Sequence, residues 1–487
     1  MRSWIALLLL ACCATARAQA GGETAGYDGN FFIHDSRDWF VLYPKGRLQI
    51  DSYNYLNRGD APAGVASNST ADPRARNTVF IRRARVELLG TMFHHFDFHI
   101  AGEWAQLPPA GGYGTVADAY VIVDYLDWLK FQAGQFDAPF SLENRTSDKY
   151  FDFMERSLAV RDLGVPLNKE DGAMIFGWLP KRAAYYSLGL FNGDGQNFKN
   201  LDDWPAFLAR GFVAPLAPLA ISERRRWMKD IWVGASFWWQ RDSNLGGQAG
   251  PSTTGATTGD VPTMTTQGGF TFFSSNYNDG KDLAGNLLRA HLTPQNDTFK
   301  WAIEVNVPIN RIGVRFEYIG VSMDLAQYFD TQPATGTATR SKPFINGNGG
   351  AANLNGFGYY LEAYGWILGD TSYLETPGIE AMPRLRHAPA PEPRWGLMVA
   401  ARYEHLEFNV IPLKNLDANN VPIVDPAEGR YSVDTFELGV NAWASKHVRL
   451  TANYLINYID GNSQLVKKNL FYQNAEHELL FRVAIAL

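Results

Sequence analysis

From Gly46 to the C-terminus, apolar and polar side chains alternate over successive segments. This is the two-residue period of a strand with one face in oil and the other in water. The last segment shows it most clearly. Phe481, Val483, Ile485 and Leu487 share one face, while Leu480, Arg482, Ala484 and Ala486 share the other. Just before it, Val448, Leu450, Ala452, Tyr454 and Ile456 alternate with Arg449, Thr451, Asn453 and Asn457. The pattern predicts sixteen strands, near 46–56, 78–90, 95–106, 116–126, 128–136, 172–179, 184–191, 205–214, 229–240, 296–307, 311–322, 355–368, 394–407, 431–443, 447–459 and 477–487.

The connections carry a second signal. Short turns at Gly90–His94, Leu126–Trp128, Leu179–Ala183, Pro308–Asn310 and Ala444–Lys446 alternate with longer polar loops. Bacterial barrels show this asymmetry between their two ends. Two connections on the short side, Pro215–Met228 and Gly369–Arg394, are long and proline-rich. The Gly/Thr/Ser/Asn-rich span Asp242–Gly285 and the span Tyr328–Asn353 are expected to be exposed loops. A soluble sandwich or propeller would also alternate, but the arginines and asparagines of the second face suit a water-filled lumen better than a packed layer. The expected fold is all-β: a transmembrane antiparallel barrel of about sixteen strands, wide enough for an aqueous channel.

The N-terminus sharpens this reading. Arg2, the apolar run Trp4–Ala11 and the small-residue ending Ala16-Arg17-Ala18 form a secretory leader with expected cleavage after Ala18 or Ala20. The expected division is a signal peptide over 1–20, an N-terminal periplasmic segment over 21–45 and the barrel over 46–487. Cys12 and Cys13, the only two cysteines, leave with the leader, so thiolate chemistry is excluded from the remainder. No later run approaches the ~18 apolar residues of a spanning helix. The 14 Trp, 22 Tyr and 30 Phe match the aromatic girdles of a barrel instead. Net charge is -6, falling to -8 without Arg2 and Arg17, so no global basic field invites nucleic acid.

Candidate chemistry therefore has to be local. Alternation puts Arg83, Arg85 and Glu87 on the lumenal face of the second strand and leaves Arg82 facing lipid, where it is tolerated only near the membrane rim. By the same rule Arg315, Arg402, Arg449 and Arg482 point inward, Arg315 beside Glu317 and Arg402 beside Glu404. Such rows of guanidinium groups suit anion passage, diluted by Glu87, Glu317 and Glu404; the plainer reading of each arginine is a wall residue paired with a carboxylate. The stretch Asp137–Asp171 is too long for a hairpin connection. It is expected to fold inward as the third loop, with Arg145, Lys149, Arg156 and Arg161 at a constriction. His94, His95 and His99 read as ordinary polar residues rather than a metal site, and no Gly-x-Ser-x-Gly elbow is present.

Several stretches resemble the phosphate- and polyphosphate-selective porin O and P family, in that family's order. They are Gly46–Asp51, Ile81–Val86, Gly134–Phe136 with Pro139–Glu143, Glu155-Arg156 with Arg161–Val165, Phe191–Gly193, Gly358–Tyr360, Ala401–Tyr403, Gly439–Trp443 and Arg449–Tyr454. The resemblance runs from about Gly29 to the end. It implies a sixteen-stranded outer-membrane porin of a Gram-negative bacterium, usually a homotrimer, with an inward third loop and a basic lining. It departs from the family at Asp137, where many members carry Lys, and at Leu487, where outer-membrane barrels usually end in an aromatic. The expected function is passive diffusion of small hydrophilic solutes, anions such as phosphate among them. Expected partners are outer-membrane lipid, lipopolysaccharide and the anions themselves, with no cofactor and no catalysis. The alternatives are a hydrolase on a barrel scaffold and a closed adhesive barrel.

Overall fold

A computed structural model describes residues 24–56, 77–105, 115–165, 168–197, 199–200, 203–220, 222–242, 263–273, 276–281, 287–332, 339–340, 352–369, 377–379, 382–385, 395–411, 415–416, 422–423, 429–461 and 475–487. The leader expected over 1–20 lies outside them. Sixteen long strands follow one another around a single sheet: β1 Phe40–Tyr55, β2 Thr78–Met92, β3 Phe96–Glu103, β4 Thr115–Leu126, β5 Leu129–Asp137, β6 Lys169–Trp178, β7 Ala184–Phe191 and β8 Ala206–Val213. The second half comprises β9 Trp232–Asp242, β10 Leu287–Ile309, β11 Ile312–Gln332, β12 Ala352–Gly369, β13 Gly396–Ile411, β14 Gly429–Ser445, β15 Val448–Gly461 and β16 Ala475–Ala486. Every neighbouring pair is antiparallel, and β16 pairs with β1 from Glu478↔Tyr55 to Ala486↔Arg47. The barrel is therefore closed, which leaves no sheet edge to satisfy inside a bilayer.

The outward face is an apolar belt. Leu48, Val86, Ile100, Val121, Phe131, Ile175, Leu190, Phe207, Phe237, Trp301, Val314, Leu361, Val399, Leu438, Leu450 and Phe481, one from each strand in turn, are exposed large hydrophobics. A soluble protein would bury such a surface, whereas lipid covers it here. The inward face carries the charged partners of the same strands, such as Arg315 and Glu317 on β11 and Arg402 and Glu404 on β13, all buried. Each strand predicted from alternation overlaps an observed one. β1 starts earlier, at Phe40, and β10 and β11 extend well past the expected ends at 296 and 322. Two short strands, Ala25–Tyr27 and Phe31–His34, precede the barrel and pair with each other, the second also with β1.

Arg82 does not face lipid as alternation predicts. Gln49 pairs with Arg83 but Ile50 pairs with Ile81, so a bulge places Arg82 as an extra residue on β2. The bulge turns its guanidinium to Glu155, with Nε to Oε1 at 2.9 Å. The expected exposure of the whole span Asp242–Gly285 is also corrected. Met264–Thr265 pairs with Thr271–Phe273, and Met264, Phe270, Phe272 and Phe273 are buried against inner-face residues of the barrel. Their apolar side chains, scattered through a polar composition, outweigh its preference for water.

Candidate functional site

The segment from Ala138 to Val165, between β5 and β6, is threaded with bonds to inward-facing wall side chains from all round the barrel. On β11, the Glu317 carboxylate accepts the Leu142 N–H at 2.5 Å and the Glu143 N–H at 3.0 Å. On β13, Glu404 accepts the Leu158 N–H at 2.6 Å. Lys300 of β10 donates to the Gly164 carbonyl at 2.5 Å. Two glycines mark where the segment meets the wall: a Cβ built on Gly358 would lie 2.8 Å from Ala159 Cβ, and one on Gly439 would lie 2.9 Å from the Phe153 ring. Apart from one π-helical turn at Ala159–Leu163 the segment has little regular structure, so side-chain acceptors replace the backbone partners it lacks.

The basic residues singled out from alternation and from the third loop divide into two groups. Arg315 bonds Asp152 at 2.6 Å and Glu362 at 2.8 Å, and Arg402 bonds Glu143 at 3.1 Å, Glu404 at 2.7 Å and Glu437 at 2.7 Å. Arg161 donates to the Thr265 carbonyl. These three border neither of the openings described below. They join the wall to segment 138–165 or join that segment to the Met264–Phe273 turn. Glu317 and Glu404, read from sequence as carboxylates that dilute a basic field, are backbone acceptors instead.

The second group surrounds open space. A cavity of about 290 Å³ lies between segment 138–165 and the wall from β1 to β6, lined by nine Lys or Arg and five Asp or Glu. Arg83, Arg85, Arg145, Lys149 and Arg156 are among the nine. Arg83 pairs with Asp148 at 2.5 Å, Arg85 with Glu103 at 2.6 Å and Lys149 with Glu87 at 3.6 Å, while Arg145 donates to the Asp137 carbonyl and Arg156 to that of Glu143. A second cavity of about 70 Å³ continues from it, sharing Lys45, Arg47, Asp148, Lys149 and Tyr150, and reaches the turn Lys446-His447. Arg449 and Arg482 line this second space. Arg449 donates to the Lys149 and Phe151 carbonyls, and Arg482 grips Asp51 through two 2.7 Å bonds.

Lys45, Arg47, Arg82 and Lys169 were not selected from sequence. Lys45 and Arg47 share the inward register of Gln49 and Asp51 on β1, so alternation alone contains them. Arg82 needed the bulge. Lys169 carries a further consequence, because it pairs with Asp118 and lies 2.9 Å from Asp137. The anion at position 137 therefore has its own cation.

Two carboxyls of segment 138–165 differ in protonation. Burial would raise the Glu155 carboxyl, but Arg82, Arg83 and Arg482 hold it well below the ordinary carboxylate range. Burial pushes the Asp162 carboxyl up to about 7, against the pull of Arg161. Because the seated segment then binds a proton that the released segment gives up near its ordinary value of 3.8, seating weakens as pH rises from 3.8 to about 7 and is constant above. Single-channel current noise is thus expected to grow between pH 5 and 7.5, and Asp162→Asn is expected to abolish that growth. Equal pH dependence in both proteins would disprove it.

Residues 62–240 match the family model of the phosphate-selective porin O and P. Over that stretch the chain is similar to porins of this family. Among solved structures, a loop-deletion variant of OmpT, an outer membrane protein of Vibrio cholerae, has a TM-score of 0.50 at 11% identity, covering 92% of this chain and 100% of its own. In-vitro folded OmpT of the same organism gives 0.49 at 9% identity over 92% and 98% of the two chains. OmpF of Salmonella typhi in complex with daunomycin gives 0.47 at 9% identity over 93% and 100%. The first of these likenesses shows a shared fold. A comparison with curated proteins finds no match. The porin forms an outer-membrane channel of a Gram-negative bacterium, and its short turns mark the periplasmic end.

Proposed function

We propose that this porin passes small hydrophilic anions, inorganic phosphate among them, by passive diffusion, and that segment 138–165 folded into the lumen sets the constriction. The observation that carries the reading is the lining of the larger cavity, nine Lys or Arg against five Asp or Glu, in a chain whose overall charge is negative. Charge of one sign concentrated in a narrow, low-dielectric passage raises the local concentration of counter-ions. The seals on the β10, β11 and β13 side push the passage against β1–β5, where Arg83, Arg85, Arg145 and Lys149 face solute. Arg315, Arg402 and Arg161 act at one remove, by holding the segment that shapes the opening. The similarity of residues 62–240 to the porin family supports assembly as a homotrimer, seated by its apolar belt among outer-membrane lipid and lipopolysaccharide.

Planar-bilayer recording under a KCl gradient, with phosphate added as competitor, tests this. Stable channels with an anion-selective reversal potential and reduced chloride current in phosphate are expected. Cation selectivity would overturn the reading, and so would the absence of channels.

A further inference from the structure

The connection from β12 to β13, long for a periplasmic turn, does not stay at its own side of the barrel. Gly378 accepts a bond from Arg210 of β8 at 2.5 Å and donates to Thr146 of the lumenal segment at 2.7 Å. Ile379 packs on a cluster containing Leu142, Tyr185, Phe212 and Trp232. Met382 accepts from the Tyr120 hydroxyl of β4 at 3.8 Å. Arg384 then meets the opposite wall: it bonds Asp97 of β3 twice, at 2.8 and 2.9 Å, Asp124 of β4 at 3.0 Å and Thr91 of β2 at 3.2 Å. Leu385 ends against Phe32, Val41, Tyr43 and Leu89.

Apart from Tyr120, in the middle of β4, these wall residues stand toward the short-turn ends of their strands. Tyr185 and Trp232 begin β7 and β9, Asp97 and Val41 begin β3 and β1, and Phe212, Asp124 and Thr91 end β8, β4 and β2. The described residues 377–379 and 382–385 therefore touch the inner wall of β7–β9 and of β1–β4. Ile379 lines the larger cavity, whereas none of the described residues 377–379 and 382–385 lines the smaller one, which has Lys446 and Arg449 beyond Lys45, Arg47 and Lys149.

We propose that residues 377–379 and 382–385 form a strap over the β1–β4 and β7–β9 side of the periplasmic mouth, pinned by Arg384 to Asp97 and Asp124, that turns solute away from that side. The strap is a second selectivity element, separate from segment 138–165. Exit beneath the strap would take the solute past Asp97 and Asp124. Arg384 is a positioning residue here, acting by neutralising both aspartates and holding the strap across them. The selectivity consequence rests on the anion-channel reading above, whereas the existence of the barrier does not.

Two measurements test it on the full chain. Arg384→Ala and the double variant Asp97→Asn/Asp124→Asn each release the pin, and conductance is expected to roughly double as a second exit opens. Arg384→Ala should also move the reversal potential toward cations, because Asp97 loses its guanidinium and Asp124 is left to Lys130 at 2.7 Å, while the double variant should not. A merely structural role for Arg384 would not separate the two. Independently of conductance, Thr91→Cys is expected to react slowly with a charged thiol reagent while Arg384 covers it and quickly in the Arg384→Ala background. Heat-modifiable migration on gels confirms folding, and Arg384→Lys serves should alanine fail it. Unchanged conductance with equal thiol reaction rates overturns the strap. Wild-type protein without channels would sink the channel reading but leave the thiol result to decide the barrier.

Discussion

Replacing Glu317 by alanine is expected to raise single-channel conductance several-fold and to make it noisy. The Glu317 carboxylate holds the Leu142 and Glu143 amides and also accepts the Tyr360 hydroxyl at 2.8 Å. Removing it strands two buried backbone donors. Each costs about 1–3 kcal/mol when left without an acceptor, so the seated position loses roughly 2–6 kcal/mol relative to a released one in which water takes over both bonds. Water stands ready on the channel side, so release is the cheaper outcome. Glu317→Gln keeps the volume and one strong acceptor, and it should fall between wild type and alanine. A wild-type conductance trace from Glu317→Ala, with folding verified, would show that this anchor does not set the opening.

That prediction turns on a residue whose role was hidden in the sequence while its position was not. Alternation placed Glu317 on the inner face of β11 beside Arg315, because a strand's period is fixed by its backbone. What alternation cannot supply is the partner, since Leu142 lies 175 residues away in a segment with no period of its own. The same division runs through the site. The inward registers of Arg315, Arg402, Arg449 and Arg482 were legible, but whether each faced solute or a loop carboxylate depended on how segment 138–165 was seated. Arg82 failed for a different reason: a bulge adds one residue to one strand and shifts the period on one side of it, and nothing in Ile81-Arg82-Arg83-Ala84-Arg85 announces it. The long connection 369–394 was visible as an anomaly of length, but its path across the mouth depends on contacts with strands distant in sequence.

The second large effect is expected at Lys149, which lines both cavities and approaches Glu87 at 3.6 Å. Lys149→Glu changes the charge at the junction of the two spaces by two units. A unit charge about 5 Å from a passing ion is worth about 0.8 kcal/mol in water, so the reversal is worth about 1.7 kcal/mol, nearly three times thermal energy. The shift acts on both ions, disfavouring the anion and favouring the cation, and a change of order tenfold in their permeability ratio is expected even after partial screening. Recording at 0.1 M rather than 1 M salt is essential, because the Debye length falls from about 10 Å to about 3 Å between them. Lys149→Gln should give roughly half the displacement in reversal potential. Reversal at the same potential in all three proteins would mean that ions do not pass Lys149. The path would then lie outside the cavities along β1–β5, since the residues shared by the two spaces are the only junction between them among the described residues.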